Sequence, residues 1–425
     1  MIFLIILVSA LLMIFSFEML LVLGIPTFLA KEAFFGGVPD IALIQKLVAG
    51  IDHTTLLAIP FFIFAAHIMS SGKIASKLTT LVKLIFGHRH GGMGLTAVGS
   101  SMAFGSVSGS APATVAALGK LLYPELLKAG YRKSFSLGLI VSSSETALLI
   151  PPSITLIIYG WMTGTSVTGL FVGGLSVGVV LGLAFALLVF WEAKVSKIVK
   201  PPKPDLSVVL NELKGSIWAL GMPVLILGGI YSGLFTATEA AAVSVIYAIF
   251  VEGVIYRGLT FKKLYDIAEQ SAIATSIIFI LLAFGGMLSF FVTLAQVPDT
   301  ISHWVVDFGA GPILFLFIVN IVFLIAGMFI DPNSALLILV PPLYPVAVGL
   351  GIDPIHFGLI VTLNICIGMI TPPFGLDIFV ASSTLDVPVT DIIKGIWPFI
   401  AINLAVLALI TYVSEISIFL PNLIL

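Results

Sequence analysis

The sequence predicts an all-α polytopic membrane protein built as an inverted-topology repeat, with two re-entrant helical hairpins and two discontinuous helices. Three observations predict it. The 425 residues are 59% hydrophobic and only 9% charged, with a mean hydropathy of +1.21, far too little charge to cover a soluble protein of this size. Apolar runs of about 18 or more residues recur along the chain, each long enough to cross a bilayer as a helix, and they lack the period-two alternation of a membrane β-barrel. Finally, a set of helix-breaking motifs occurs twice. Ser-Gly-Ser-Ala-Pro (Ser108 to Pro112), Leu-Tyr-Pro (Leu122 to Pro124) and Pro151-Pro152 are matched by Asp-Pro-Asn-Ser (Asp331 to Ser334), Leu-Tyr-Pro (Leu343 to Pro345) and Pro372-Pro373; the last two motifs are both displaced by 221 residues. Interrupted apolar segments at corresponding places in two halves point to a transport site.

Residues 1–53 are expected to hold the N-terminal span or spans and an interfacial helix. Residues 2–30 read either as one tilted helix or as two short segments around Gly24, Ile25 and Pro26, and Lys31, Glu32, Asp40 and Lys46 suggest a helix at the interface. With no basic start and no small-residue cleavage site, the N-terminus is expected to be a retained span rather than a signal peptide. Glu18 fits either a contact with another membrane subunit or a partly exposed interfacial position.

The first repeat, 54–192, contains a hairpin near 92–126, with limbs 92–106 and 112–126, and a broken helix near 134–163. Residues 193–215, rich in Lys, Pro, Asp and Glu, form a polar linker. The second repeat, 216–394, opens with spans near 216–234 and 237–256. It continues with a hairpin near 312–349 and a broken helix near 355–381. Residues 395–425 form a C-terminal span. A limb of about 15 residues is about 22 Å long, enough to reach the middle of a membrane.

Charge sets the orientation. Arg89, Lys128, Arg132 and Lys133 flank the first hairpin, further clusters lie at Lys194–Lys203 and Arg257–Lys263, and no Lys or Arg occurs between Lys263 and Lys394. Basic loops stay in the cytoplasm, so the first hairpin enters from that side. The second, flanked by Asp307 and Asp353, enters from outside.

Ser110-Ala111-Pro112 and Asp331-Pro332 each read as a cap followed by a helix start, and Pro151-Pro152 and Pro372-Pro373 as restarts of interrupted helices. Four half-helix N-termini then face the membrane centre, where their N–H groups and dipoles attract anions. Freed carbonyls and hydroxyls suit a desolvated sodium ion. Ser106, Ser108 and Ser110 are read as site residues rather than packing serines. Asp331 is read as a cation ligand rather than a simple cap, since a carboxylate at membrane depth costs about 2.5–3.5 kcal/mol. Asn333, Asn364 and Thr371 stand between interhelical hydrogen bonding and ligand contact. Glu145 stands between cation ligand, proton carrier and stabiliser of the turn. Glu239, three residues after Thr236, has capping-box spacing, and His88 and His90 fit the headgroup level. Lys120 lies about 15 Å from Ser110 along a helix, so no basic side chain is available to a bound anion at the centre.

A net charge of −2 implies no nucleic-acid partner. The single cysteine, Cys366, allows no intrachain disulfide. No His-Glu-x-x-His, Gly-x-Ser-x-Gly or Walker A motif is present, so the chain reads as neither an enzyme nor an ATP-driven pump.

Five stretches together resemble the large membrane subunit of tripartite ATP-independent periplasmic (TRAP) transporters. They are Leu57 to Ala65, Phe104 to Ala117, Ile150 to Ser153, Gly233 to Ala242 and Ile370 to Gly375. The resemblance implies a scaffold plus an elevator-type transport domain in a bacterial inner membrane. It implies sodium-driven uptake of an organic carboxylate, such as sialic acid or a C4-dicarboxylate. A periplasmic substrate-binding protein would deliver the substrate, and a small four-helix membrane subunit, expected as a separate chain, would sit beside this one in the lipid bilayer. Carried onto this sequence, one sodium would lie between Ser106, Ser108 and Ser110 and the segment containing Ala147, Ile150 and Pro152. A second would lie between Gly327 and Asp331 on one side and Gly368 and Thr371 on the other. Substrate would lie between the tips, with Ser108, Thr146, Asn333, Ser334 and Asn364 as candidate contacts. A dicarboxylate symporter of the same architecture that needs no binding protein, and a passive anion channel, are the alternatives.

Overall fold

The structure, a computed structural model, describes residues 2–15, 17–307, 309 and 311–424. Every regular element among them is helical, and nine helices are long and apolar enough to cross a membrane. The predicted class is therefore observed. The elements pack in two groups. One contains Thr54–Ser71, Ala237–Phe250, the 34-residue helix Phe261–Leu294 and the N-terminal helices. The other is built around the two hairpins and the two broken helices, with Val167–Val195 and Val389–Tyr412 against them.

The first hairpin comprises Gly92–Ser108 and Ala111–Lys128, and the second Pro312–Phe329 and Pro332–Gly349. Each turns through two residues. In the first, Gly109 ends the incoming limb at φ 58, a left-handed conformation that a side chain resists, and a Cβ there would meet the carbonyl oxygen of Pro152. The limbs, of 17 and 18 residues, are longer than expected, about 26 Å. At the base of the first hairpin Glu125 pairs with Lys83 and Lys128, each at 3.0 Å, and these lysines hold its carboxyl below the usual range.

Opposite entry of the hairpins is visible in what their bases touch. The first broken helix runs as Lys133–Ser144, Thr146–Leu149 and Ile154–Thr163. Near its start, the Tyr131 hydroxyl donates to the Gly91 carbonyl at the base of the first hairpin, at 3.0 Å. Toward its far end, the Tyr159 ring meets Tyr344 of the second hairpin edge-on, with centroids 6.2 Å apart. One helix thus has the two hairpin bases at its two ends.

The second broken helix, Pro354–Ile370 and Leu376–Leu385, is the counterpart. The Cys366 thiol lies 3.8 Å from the Glu145 carbonyl, and these residues are themselves 221 apart. Contact between two repeat-related positions places the pseudo-two-fold axis between them.

Several boundaries differ from expectation. The Pro-Pro pairs, both cis, lie in the bend and the turn between the half-helices rather than in the first helical turn, each behind an extended residue, Ile150 or Thr371. Proline restricts the residue before it to extended conformations, so the helices restart only at Ile154, behind Ser153, and at Leu376, behind Gly375. The N-terminal break falls between Ile2–Ile14 and Met19–Phe34, with Pro26 inside the second helix. Glu18 stands exposed at that break. The linker is shorter than 193–215: Val167–Val195 and Leu206–Tyr231 extend into it. The last span starts at Val389 and ends at Tyr412, and Glu415–Ile424 is a separate helix. Thr236 and Glu239 form the expected capping box.

Candidate functional site

Both hairpin tips open on one cavity of about 210 Å³. Its lining is symmetric: Ser110 with Asp331, Pro112 with Asn333, Leu148 with Met369 and Thr155 with Leu376, each pair 221 residues apart. Ile278 of the long helix Phe261–Leu294 closes one side. No lysine or arginine lines it.

The caps set the local electrostatics. Ser110 Oγ accepts from the Ala113 N–H at 3.4 Å, and Ser153 Oγ from the Leu156 N–H at 3.3 Å. Asp331 Oδ1 accepts from the N–H groups of Asn333 and Ser334, both at 3.1 Å. The Asp331 carboxylate is thus a helix cap by one oxygen, while its other oxygen takes no hydrogen bond from the described residues. The half-helices behind Ser110, Ser153, Asp331 and Gly375 start around this cavity, so their positive ends and one carboxylate share it.

The hairpins are pressed against the broken helices by residues without bulk. A Cβ on Gly105 would lie 2.6 Å from the Cα of Ala147, and one on Gly327 would lie 3.1 Å from the Cα of Gly368. Both contacts leave backbone against backbone beside a tip.

Of the expected site residues, Ser110, Asp331 and Asn333 lie on the cavity wall. Ala147, Gly327 and Gly368 form the backbone seams just described, and the Pro152 carbonyl faces Gly109. Ile150 donates its N–H to the Thr146 carbonyl at 2.8 Å. The other side chains do not line the cavity. The Ser106 hydroxyl donates to Ala103 at 2.7 Å, Thr146 to Ser143 at 2.7 Å and Thr371 to Ile367 at 2.6 Å. Ser108 lies 3.0 Å from the Thr114 hydroxyl. Ser334 is buried, with no partner for its hydroxyl among the described residues. Asn364 turns away from the tips: its amide donates to Asn320 at 2.7 Å and to Ile360 at 2.9 Å, an interhelical bond to the second hairpin.

Thr155, Met369 and Ile278 escaped the sequence reading, and Leu148 entered it only as part of the segment from Ala147 to Pro152. The 221-residue shift pairs Leu148 with Met369 and Thr155 with Leu376, a signal that could have found them; Ile278 carries none. Asp377 was also missed. It is fully buried in the first turn of the helix that follows the second break, and neither carboxylate oxygen has a donor among the described residues. Glu145 is equally buried and accepts from Asn403 Nδ2 at 2.8 Å. Its carboxylate faces the span Val389–Tyr412.

Residues 1–416 match the family model described as "Tripartite ATP-independent periplasmic transporter, DctM component". The ectoine TRAP transporter large permease protein TeaC of Halomonas elongata is 40% identical over 413 residues, covering 97% of each chain. The C4-dicarboxylate TRAP transporter large permease protein DctM of Pseudomonas aeruginosa is 39% identical over 381 residues, 90% of this chain and 89% of that one. Among solved structures, the YdaH transporter of Alcanivorax borkumensis superposes with a TM-score of 0.65 at 14% identity, over 95% of this chain and 98% of that one. That likeness concerns the fold.

Proposed function

The chain belongs to the DctM-component family of tripartite ATP-independent periplasmic transporters, and from that premise we propose that it imports a small organic carboxylate coupled to sodium. The observation that carries this reading is the single cavity shared by Ser110 and Asp331 at the tips of two opposed hairpins. Helix N-termini attract the anion, while the Asp331 carboxylate and nearby backbone oxygens attract the cation. Cation and carboxylate then compensate one another, so binding of each raises the affinity for the other. Relatives named for ectoine and for C4-dicarboxylates both handle carboxylate-bearing solutes, which widens the expected class to include a zwitterion. The proposed setting is a bacterial inner membrane, with a small membrane subunit and a periplasmic receptor delivering the substrate. The hairpin group is proposed to move as a unit against the long-helix group.

The test is uptake into proteoliposomes. Asp331→Ala is expected to abolish sodium-driven uptake while leaving membrane insertion intact; unchanged uptake overturns the reading. Uptake without the receptor would favour a stand-alone symporter, and substrate conductance without a sodium gradient would favour a channel.

A further inference from the structure

A second cavity, of about 380 Å³, lies on the outward side and contains Lys46. Its position follows from the long helix Phe261–Leu294, whose start adjoins the cytoplasmic cluster at Arg257, Lys262 and Lys263. Phe290 stands about 43 Å farther along that helix, and Lys46 Nζ sits 4.8 Å above its ring. On the hairpin side the wall runs from Leu337 to Pro345. Leu337 is six residues beyond Asp331, about 9 Å along the limb, so the cavity begins just outside the tip.

Lys46 is unusual for its side of the membrane. The basic clusters of this chain mark the cytoplasmic face, as the positive-inside rule requires. Lys31, near Lys46 in sequence, is explained by its ion pairs to Glu32 and Asp40 at 2.6 and 2.7 Å. Among the described residues no carboxylate lies within ion-pairing distance of Lys46, and no acidic residue lines the cavity. Instead Lys46 shares the cavity wall with Thr163, Ser289, Thr293 and Tyr344; the Thr163 and Thr293 hydroxyls donate to the Tyr159 and Ser289 carbonyls at 2.8 and 2.9 Å, which leaves those of Ser289 and Tyr344 for a ligand. The Gly50–Gly286 contact, where a Cβ on Gly286 would lie 2.9 Å from the Gly50 Cα, brings the short helix of Lys46 against the long one. One ammonium and two uncommitted hydroxyls without an acid are the chemistry of a carboxylate site. The volume falls within the range of small-molecule pockets, about 300–1,000 Å³, whereas the tip cavity falls below it.

We propose that the Lys46 cavity is an outward-side capture site that holds the carboxylate of the incoming substrate before it reaches the hairpin tips. This rests on the reading of the chain as a carboxylate importer. Its walls come from both helix groups: Lys46, Ser289 and Thr293 from the long-helix group, and Thr163 and Tyr344 from the hairpin group. A bound anion therefore spans the seam between them.

The test uses the whole system (chain, small subunit and receptor) in proteoliposomes, with labelled ectoine and a labelled C4-dicarboxylate as probes. Lys46→Gln is expected to raise the half-saturating concentration about tenfold, the loss expected for one charge-assisted hydrogen bond, with a smaller effect on the maximal rate. Lys46→Arg is expected to retain most of the affinity. Lys46→Cys allows a second readout, because the native Cys366 is fully buried. A membrane-impermeant thiol reagent that attaches a cation from outside should restore uptake by Lys46→Cys, and one that attaches a sulfonate should not. Half-saturation unchanged in Lys46→Gln, equal rescue by both reagents, or no labelling from outside would each overturn the capture site while leaving the importer reading intact. A wild-type system that takes up neither probe would sink the carboxylate reading and this site together.

Discussion

Gly368 shows how little freedom the tip region has. A Cβ there would meet the carbonyl carbon, Cα and oxygen of Gly327, and backbone yields less readily than a flexible side chain. Gly368→Ala must push the second hairpin off its broken helix. Such overpacking typically costs about 1–3 kcal/mol, and it should also disturb the spacing of the Asp331 cap. Gly37→Ala is the matched control, because nothing lies within 4 Å of a Cβ at that position. The expected outcome is a lower thermal midpoint and impaired uptake for Gly368→Ala, with Gly37→Ala close to wild type. Comparable melting curves and uptake rates for the two variants would show that the seam tolerates bulk.

At the scale of elements, the cytoplasmic end of the hairpin group is tied by one buried acid. Arg132, which joins the first hairpin to the first broken helix, donates through Nε and Nη2 to Glu192 at 2.8 and 2.6 Å. Ser196 adds a hydroxyl donor at 2.7 Å. The Glu192 side chain is fully buried while that of Arg132 is 62% exposed, so the two partners are not equivalent. Removing the arginine strands a desolvated carboxylate; removing the acid releases a cation into water. A fully buried pair broken this way costs about 3–5 kcal/mol, and the exposure of Arg132 lowers the expectation to about 2–3 kcal/mol. Arg132→Ala should therefore melt at a lower temperature than Glu192→Gln, and the double variant should recover part of the loss. Equal melting temperatures for the two single variants would mean that water reaches Glu192.

For the molecule as a whole, the central relation is convergence of two distant segments on one cavity. Pro112 and Asn333 both line it, and the buried Cys366 is the single native thiol. A Pro112→Cys/Asn333→Cys pair should be cross-linked by a short bifunctional thiol reagent. Pairing Pro112→Cys with Gly37→Cys, which lies near the N-terminal helices, should give none. Absence of the tip cross-link would mean that the hairpins do not face each other across a shared space.

The breaks at Gly109-Ser110, Pro151-Pro152, Asp331 and Pro372-Pro373 were legible from the chain alone, because glycine, proline and capping side chains act on the backbone within a few residues of themselves. So were the two halves, from a repeat in register, and their opposed orientation, from the placement of lysine and arginine. What surrounds the breaks was not legible. Asn364 bonds to Asn320 rather than facing the tips, Asp377 is buried without a donor, and Thr155 and Ile278 join the cavity wall. Local backbone preference decides where a helix stops. Which face of it then meets a ligand depends on long-range packing, and that the tertiary structure alone decided.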